Sequence, residues 1–256
     1  MTQANDNVPA GLADAAPVSI PERSFPESLT STCDGTLYVG SLNLGGVVRV
    51  VPGGKAEPFI QPSAAGSRSV LGVLADENGG TLYVCSNDMT GLGIPGPSDT
   101  KGAWLKTFDL ASGAPKGSFP LADPKSMSND IAVGYDGDLY VTQFIPGALF
   151  RIAVSDGKAG AVTVLKPSRA LDRPDGMRAY GDGFLLIEGA GRLNKVTVKG
   201  DRAEIETIQD GFVEPVGVTV VGNTAWIAEG KSSFLFGANK GKDPGPFTIK
   251  PVALLK

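Results

Sequence analysis

Residues Ser128–Gln143 read SNDIAVGYDGDLYVTQ, and this stretch decides the fold. An apolar run, a tight Asp-Gly turn and a second apolar run carrying an aromatic make a β-hairpin, because Asp and Gly accept the positive φ that primed turns require. The arrangement recurs as PESLTSTCDGTLYVGS from Pro26, SVLGVLADENGGTLYVCS from Ser69, PDGMRAYGDGFLLIEG from Pro174 and EPVGVTVVGNTAWIAEG from Glu214. The second arms open at Thr36, Thr81, Asp138, Phe184 and Thr224, at intervals of about 40 to 57 residues, the scale of a propeller blade.

Two further short runs follow each hairpin. The third runs are GVVRVV, WLKTFDL, ALFRIAV, RLNKVTV and SFLF; the fourth are AEPFI, GSFPL, AVTVL, AEIETI and FTIKPVALL. Four short strands per unit predict an all-β β-propeller of five four-stranded blades. A sandwich or irregular barrel is the alternative; the fixed order within each unit and the lack of helical periodicity weigh against it. The expected organisation is a lead-in over residues 1–16 and one propeller domain over 17–256. In that scheme PVSIPE, from Pro17 to Glu22, pairs with the C-terminal blade and closes the ring without an open sheet edge.

Composition restricts the chemistry. The 35 Gly and 19 Pro are what repeated turns require, and there is no histidine among the 256 residues. Mechanisms built on imidazole are therefore excluded, from Ser-His-Asp triads to His-ligated zinc. A net charge of −4 without long single-sign runs argues against a nucleic-acid groove or a polybasic membrane patch. No stretch has the length of a membrane span, and MTQANDNVPAGLADAAP lacks the basic and apolar regions of a signal peptide. The expectation is a soluble monomer, cytoplasmic, or periplasmic or secreted if a leader has been removed. Cys33 and Cys85 fall in different repeats, and two thiols or one bridge are both open.

In a propeller the innermost strand of each blade starts at one face of the ring, so equivalent positions converge on the axis. Counting back nine residues from the second arms selects Glu27, Asn129, Asp175 and Pro215, with Gly72 or Leu71 in the second copy. Two carboxylates and an amide in one register would repel or remain unpaired in a narrow channel unless a cation or protons joined them. An all-oxygen set suits Ca²⁺ first, with Mg²⁺, Mn²⁺ or Zn²⁺ as alternatives. The competing reading is that Asp175 and Asn129 are turn residues capping backbone amides.

FPESL, SNDIAV, RPDGM and the repeated DG-LYV hairpins resemble the regucalcin/gluconolactonase family, the senescence marker protein-like sugar lactonases, over about Pro17 to Leu254. The resemblance implies one divalent ion on the axis held by Glu27, Asn129 and Asp175, and hydrolysis of lactones or related esters with Asp175 as ligand and proton acceptor. It also implies six blades where only five repeats are found, with any missing one near Gln143–Phe150. A sixth blade assembled from the N-terminus or supplied by a partner chain is the rival to a five-bladed ring. A catalytically silent propeller, acting as a binding module or shortened scaffold, is the rival function.

The longest irregular stretch, NDMTGLGIPGPSDTKG from Asn87 to Gly102, is expected on the same face, as a lid or collar or as an ordinary insert. Arg68, Asn87 and Gln143 are the candidate substrate contacts, with Ser86, Glu188 and Glu229 nearby. Arg178 reads as a salt-bridge partner in the channel wall. Tyr38, Tyr83, Tyr140 and Trp226 read as packing between blades.

Overall fold

Turn chemistry sets each blade. The computed structural model describes residues 16–120, 130–143, 147–155 and 158–254, and the turn glycines of all five hairpins, Gly35, Gly80, Gly137, Gly181 and Gly222, have φ of 56–88°. A side chain there would be strained, so these positions fix where each inner strand reverses.

Five antiparallel sheets of four strands form the propeller, and the fourth carries an additional two-residue parallel strand, Lys166–Pro167. The inner strands are Pro26–Ser31, Ser69–Asp76, Ile131–Val133, Pro174–Tyr180 and Pro215–Val221. Blades 1 to 4 run outward in chain order. Blade 5 differs from the sequence expectation: SFLF supplies no strand, and Ser232–Phe234 is a short 3₁₀ turn. Its third strand is Thr248–Ala253, and its fourth is Val18–Ser19, with Val18 opposite Ile249 and Ser19 opposite Thr248. N- and C-terminal segments thus share one sheet.

Apolar packing joins neighbouring blades. Leu29, Val39 and Val50 of blade 1 pack with Val216, Trp226 and Ile249 of blade 5. Tyr140 and Leu149 of blade 3 meet Phe184 and Leu186 of blade 4, whose Ile187 and Leu193 meet Val218 and Ile227 of blade 5. Tyr38 and Ile60 of blade 1 meet Val73, Val84 and Phe108 of blade 2. Among the described residues, no such buried cluster spans the seam between blades 2 and 3. Cys33 is exposed and Cys85 buried, and no disulfide joins them. No helix of the described residues is long and apolar enough to cross a membrane.

Candidate active site at the mouth of the central channel

The same local device opens the inner strands of blades 1, 4 and 5. Each begins with proline, Pro26, Pro174 or Pro215, preceded by a residue in the left-handed region: Phe25 (φ 45°), Arg173 (57°) and Glu214 (46°). A non-glycine residue holds that conformation at an energetic penalty, so surrounding structure must enforce it. Backbone hydrogen bonds do so: the carbonyls of Phe25, Arg173 and Glu214 accept from the N–H groups of Leu42, Gly189 and Gly230, each at 2.9 Å. The end of the second strand grips the chain one residue earlier. Ser41 Oγ donates to Ser24 O at 2.6 Å, Glu188 Oε1 accepts from Asp172 N–H at 2.6 Å, and Glu229 Oε1 accepts from Val213 N–H at 2.8 Å.

Immediately after the proline, a β-bulge places one extra residue in the inner strand. It falls between Pro26 and Leu29, Pro174 and Met177, and Pro215 and Gly217, with a counterpart between Val70 and Val73. A bulge re-aims its side chains, and here it carries Glu27 and Asp175. The pairing makes Val216, not Pro215, the equivalent in blade 5, and sets Leu71 and Gly72 within the bulge of blade 2. Gly176 follows Asp175 because a Cβ there would stand 2.6 Å from Gly217 Cα and from Val216 O of the next blade.

Glu27 and Asp175 are brought together with Asp130 and Arg178. Asp175 is buried and Glu27 half-buried. Burial pushes the Glu27 carboxyl well above the ordinary carboxylate range, the neighbouring charges of Asp175 and Asp130 push it further, and Arg178 partly offsets them. Asn129 lies outside the described residues. Asp130, its neighbour, is the residue that sequence reasoning passed over. Its Oδ2 accepts from Arg178 Nη1 at 2.6 Å and from Met177 N–H at 2.8 Å. Arg178 Nη2 donates to Leu29 O at 2.9 Å, Val73 O at 2.7 Å and Ser28 Oγ at 3.3 Å. One guanidinium from blade 4 therefore ties blades 1, 2 and 3 across the axis.

Among the described residues, no three His, Cys, Asp or Glu side chains gather into a single coordination shell. The donor chemistry nonetheless fits a hard divalent ion. Glu27 and Asp175 offer carboxylate oxygens in a dehydrated position where their mutual repulsion is only partly relieved.

The segment after Asn87 forms an ordered collar. Met89 and Ile94 are buried with Leu71, Leu42 and Phe25, and a one-turn 3₁₀ element spans Thr90–Leu92. Arg68, 3% exposed, holds it: Nη1 meets Asp88 Oδ1 at 3.1 Å and Thr100 O at 3.1 Å, while Nη2 donates to Thr90 Oγ1 at 2.8 Å and to Pro95 O. Arg68 thus supports the collar through its two terminal nitrogens, while its buried Nε has no hydrogen-bond partner among the described residues. Asn87 is buried at the strand end beneath it, and Gln143 ends the second strand of blade 3.

Glu188 and Glu229 are likewise engaged. Burial alone would raise the Glu188 carboxyl, but hydrogen bonds from Arg169 and Asp172 N–H and the Arg169 charge outweigh it and hold the group below its ordinary value. Glu229 pairs with Lys250 at 2.8 Å. A separate cleft of about 450 Å³, lined by Tyr135, Asp136, Asp182 and Phe184, lies at the hairpin turns of blades 3 and 4, the opposite end of the strands from Asp175.

No family model matches the sequence, and no curated protein matches it. The fold is shared with solved propellers. The PQQ-bound aldose sugar dehydrogenase from Streptomyces coelicolor superposes with a TM-score of 0.58 at 14% identity, covering 92% of this chain and 96% of that one. A protein assigned to the gluconolactonases gives 0.57 at 16% identity, covering 92% and 77%. A gluconolactonase from Xanthomonas campestris gives 0.55 at 13% identity, covering 90% and 73%. The chain is similar in fold to gluconolactonases and to a sugar dehydrogenase of the propeller class.

Proposed function

We propose that this protein is a metal-dependent hydrolase of lactones or related esters, with its reacting centre at Glu27 and Asp175. The observation that carries the reading is the pairing of these two carboxylates at the bulged starts of separate inner strands, where Glu27 is driven toward its protonated form. Their position suits Ca²⁺, with Mg²⁺, Mn²⁺ or Zn²⁺ as alternatives, and Asn129 is the third donor that the register assigns. When bound, a divalent ion supplies carbonyl polarisation and a more acidic water. Asp175 is the group placed to accept the proton of the attacking water. The collar limits solvent entry, Arg68 keeps it in place, and Asn87 and Gln143 orient substrate hydroxyls. The gluconolactonases that share the fold support this reading, and the absence of histidine agrees with a carboxylate-based reaction.

A panel of aldonolactones and aryl esters, assayed with and without EDTA, tests the proposal. Turnover should require the ion and fall by at least a hundredfold, roughly the contribution of a general base, in Asp175→Ala. Activity that survives both chelation and the substitution would overturn it. One observation favours a catalytically silent member, one blade shorter than its relatives. The Arg178 cation already crosses the axis and compensates part of the charge that a metal would otherwise neutralise. That reading requires that no divalent ion bind and no substrate turn over.

A further inference from the structure

Of the three left-handed residues that precede the inner-strand prolines, only Arg173 presents its head group to solvent. Phe25 is buried against Phe247, with ring centroids 4.8 Å apart. Glu214 Oε2 accepts from Ser233 N–H at 2.8 Å and from Ser232 Oγ at 3.3 Å. The Arg173 guanidinium makes one contact, from Nε to Asp172 Oδ1 at 3.2 Å, and the side chain is 45% exposed. Its two terminal nitrogens have no protein partner among the described residues. The guanidinium carbon lies 3.7 Å from where a Cβ of Gly189 would stand, at the turn that joins the second and third strands of blade 4.

Arg192 stands at the other end of that turn. The register sets Pro174, Glu188 and Arg192 in one row across three strands, two strand spacings or about 10 Å from first to last. Arg192 Nη1 is 3.9 Å from Glu188 Oε2, the side chain is 41% exposed, and it donates no hydrogen bond among the described residues. Glu188 is already saturated: Oε1 accepts from Arg169 Nη1 and Asp172 N–H, and Oε2 from Arg169 Nη2 and Asn194 Nδ2. Arg169, Arg173 and Arg192 thus meet two carboxylates, Asp172 and Glu188, on the rim beside Asp175. The surplus positive charge sits on the two arginines whose N–H groups are free.

A guanidinium fork matches the paired oxygens of a carboxylate or phosphate group. Two forks on one turn are too few for a nucleic-acid groove and suit one anionic group of a small molecule. We propose that Arg173 and Arg192 form an anion subsite, so that the substrate is a lactone or ester whose carbonyl lies at Asp175 and whose far end carries a carboxylate or phosphate. The span of about 10 Å along the row accommodates a sugar lactone charged on the arm remote from its carbonyl. This assignment rests on the hydrolase reading of Glu27 and Asp175 and adds the charge of the substrate to it.

The test compares a neutral aldonolactone with the same lactone bearing a terminal phosphate or a terminal carboxylate. In wild type a charged lactone should have a KM at least roughly tenfold lower with similar kcat, the smallest effect of a hydrogen bond to a charged group. A preference for one of the two anions identifies the group bound. Arg173→Gln and Arg192→Gln should each remove most of the preference. Raising salt from about 0.05 to 0.5 M should also shrink it, since exposed charges are screened, and this measurement uses wild type alone, so it stands even where a variant fails to fold. Calorimetric titration with an alditol phosphate and with the uncharged alditol reads the subsite without turnover: the phosphate should bind more tightly, and less so in Arg192→Gln. If no lactone is hydrolysed, the hydrolase reading fails while the titration still judges the subsite. Equal KM values for neutral and charged lactones, a preference that survives both substitutions or high salt, or an alditol phosphate that binds no better than the alditol would each overturn the proposal.

Discussion

Arg178 Nη1 donates to Asp130 Oδ2 at 2.6 Å, both side chains lie in the core of the ring, and the same carboxylate oxygen accepts the N–H of Met177. An ion pair of this kind is weak evidence of net stabilisation, since dehydrating both partners offsets much of their attraction. Removing one partner is different, because the other is left buried and charged. Arg178→Met should therefore lower unfolding free energy by about 3–5 kcal/mol, measured by urea denaturation. Pairing it with Asp130→Asn should recover part of the loss, and strictly additive losses would contradict the coupling.

Glu27 should give the stability profile an unusual slope in the absence of divalent ions. Its folded-state pKa is raised by burial and by Asp175 and Asp130, so the folded chain holds its proton over a window in which the unfolded chain has released it. Folding is then most favoured below the ordinary glutamate value, and stability falls as pH rises from there through the folded-state value, after which the contribution is constant. Glu27→Gln removes this loss. Thermal melts in EDTA should show the variant more stable than wild type near neutral pH and the difference shrinking toward pH ~4, below the ordinary value of about 4.3. A constant difference across that range would argue against titration of Glu27 as its source.

Arg68 links strand and collar through Asp88, Thr90, Pro95 and Thr100. A lysine keeps the charge but cannot reach in several directions with a planar fork. Arg68→Lys should loosen residues 88–101 while leaving the blades intact, and limited proteolysis should cut there at least tenfold faster. Its effect on the global unfolding free energy should be about 1.5–3 kcal/mol, the range for hydrogen bonds to a charged group. If cleavage appears first between blades, the collar is not what Arg68 holds.

Much of this architecture was legible as repeated turn chemistry. The positive-φ glycines mark all five hairpins, and Glu27 and Asp175 emerge from counting alone because both inner strands carry the same bulge after the same proline. Where strand length changed, counting misled: it selected Pro215, although pairing makes Val216 equivalent to Asp175. SFLF resembled a strand by apolarity, but the third place in blade 5 is taken by Thr248–Ala253, which has a complete edge to pair with. Asp130 could not be singled out, since its importance comes from the long-range reach of Arg178. Arg68, Glu188 and Glu229 lie at or beside the ends of their strands, but sequence carries no sign that the two glutamates and the terminal nitrogens of Arg68 are engaged by the protein itself.

Gly176 separates the architecture of the site from its chemistry. A methyl group there would meet the backbone of Val216 and Gly217 at 2.6 Å, closer than packing allows and with no flexible side chain to yield. Gly176→Ala should therefore force the inner strands of blades 4 and 5 apart and destabilise the chain by about 1–3 kcal/mol, the usual penalty of overpacking. Asp175→Asn, one residue earlier, keeps the volume and removes only charge, so it should retain or raise the midpoint in EDTA. The two variants diverge again when Ca²⁺ is added. Gly176→Ala, folded but strained, should keep a measurable upward shift in melting temperature, whereas Asp175→Asn should lose most of it. Equal calcium shifts in wild type and Asp175→Asn would show that the ion, if it binds, is held elsewhere.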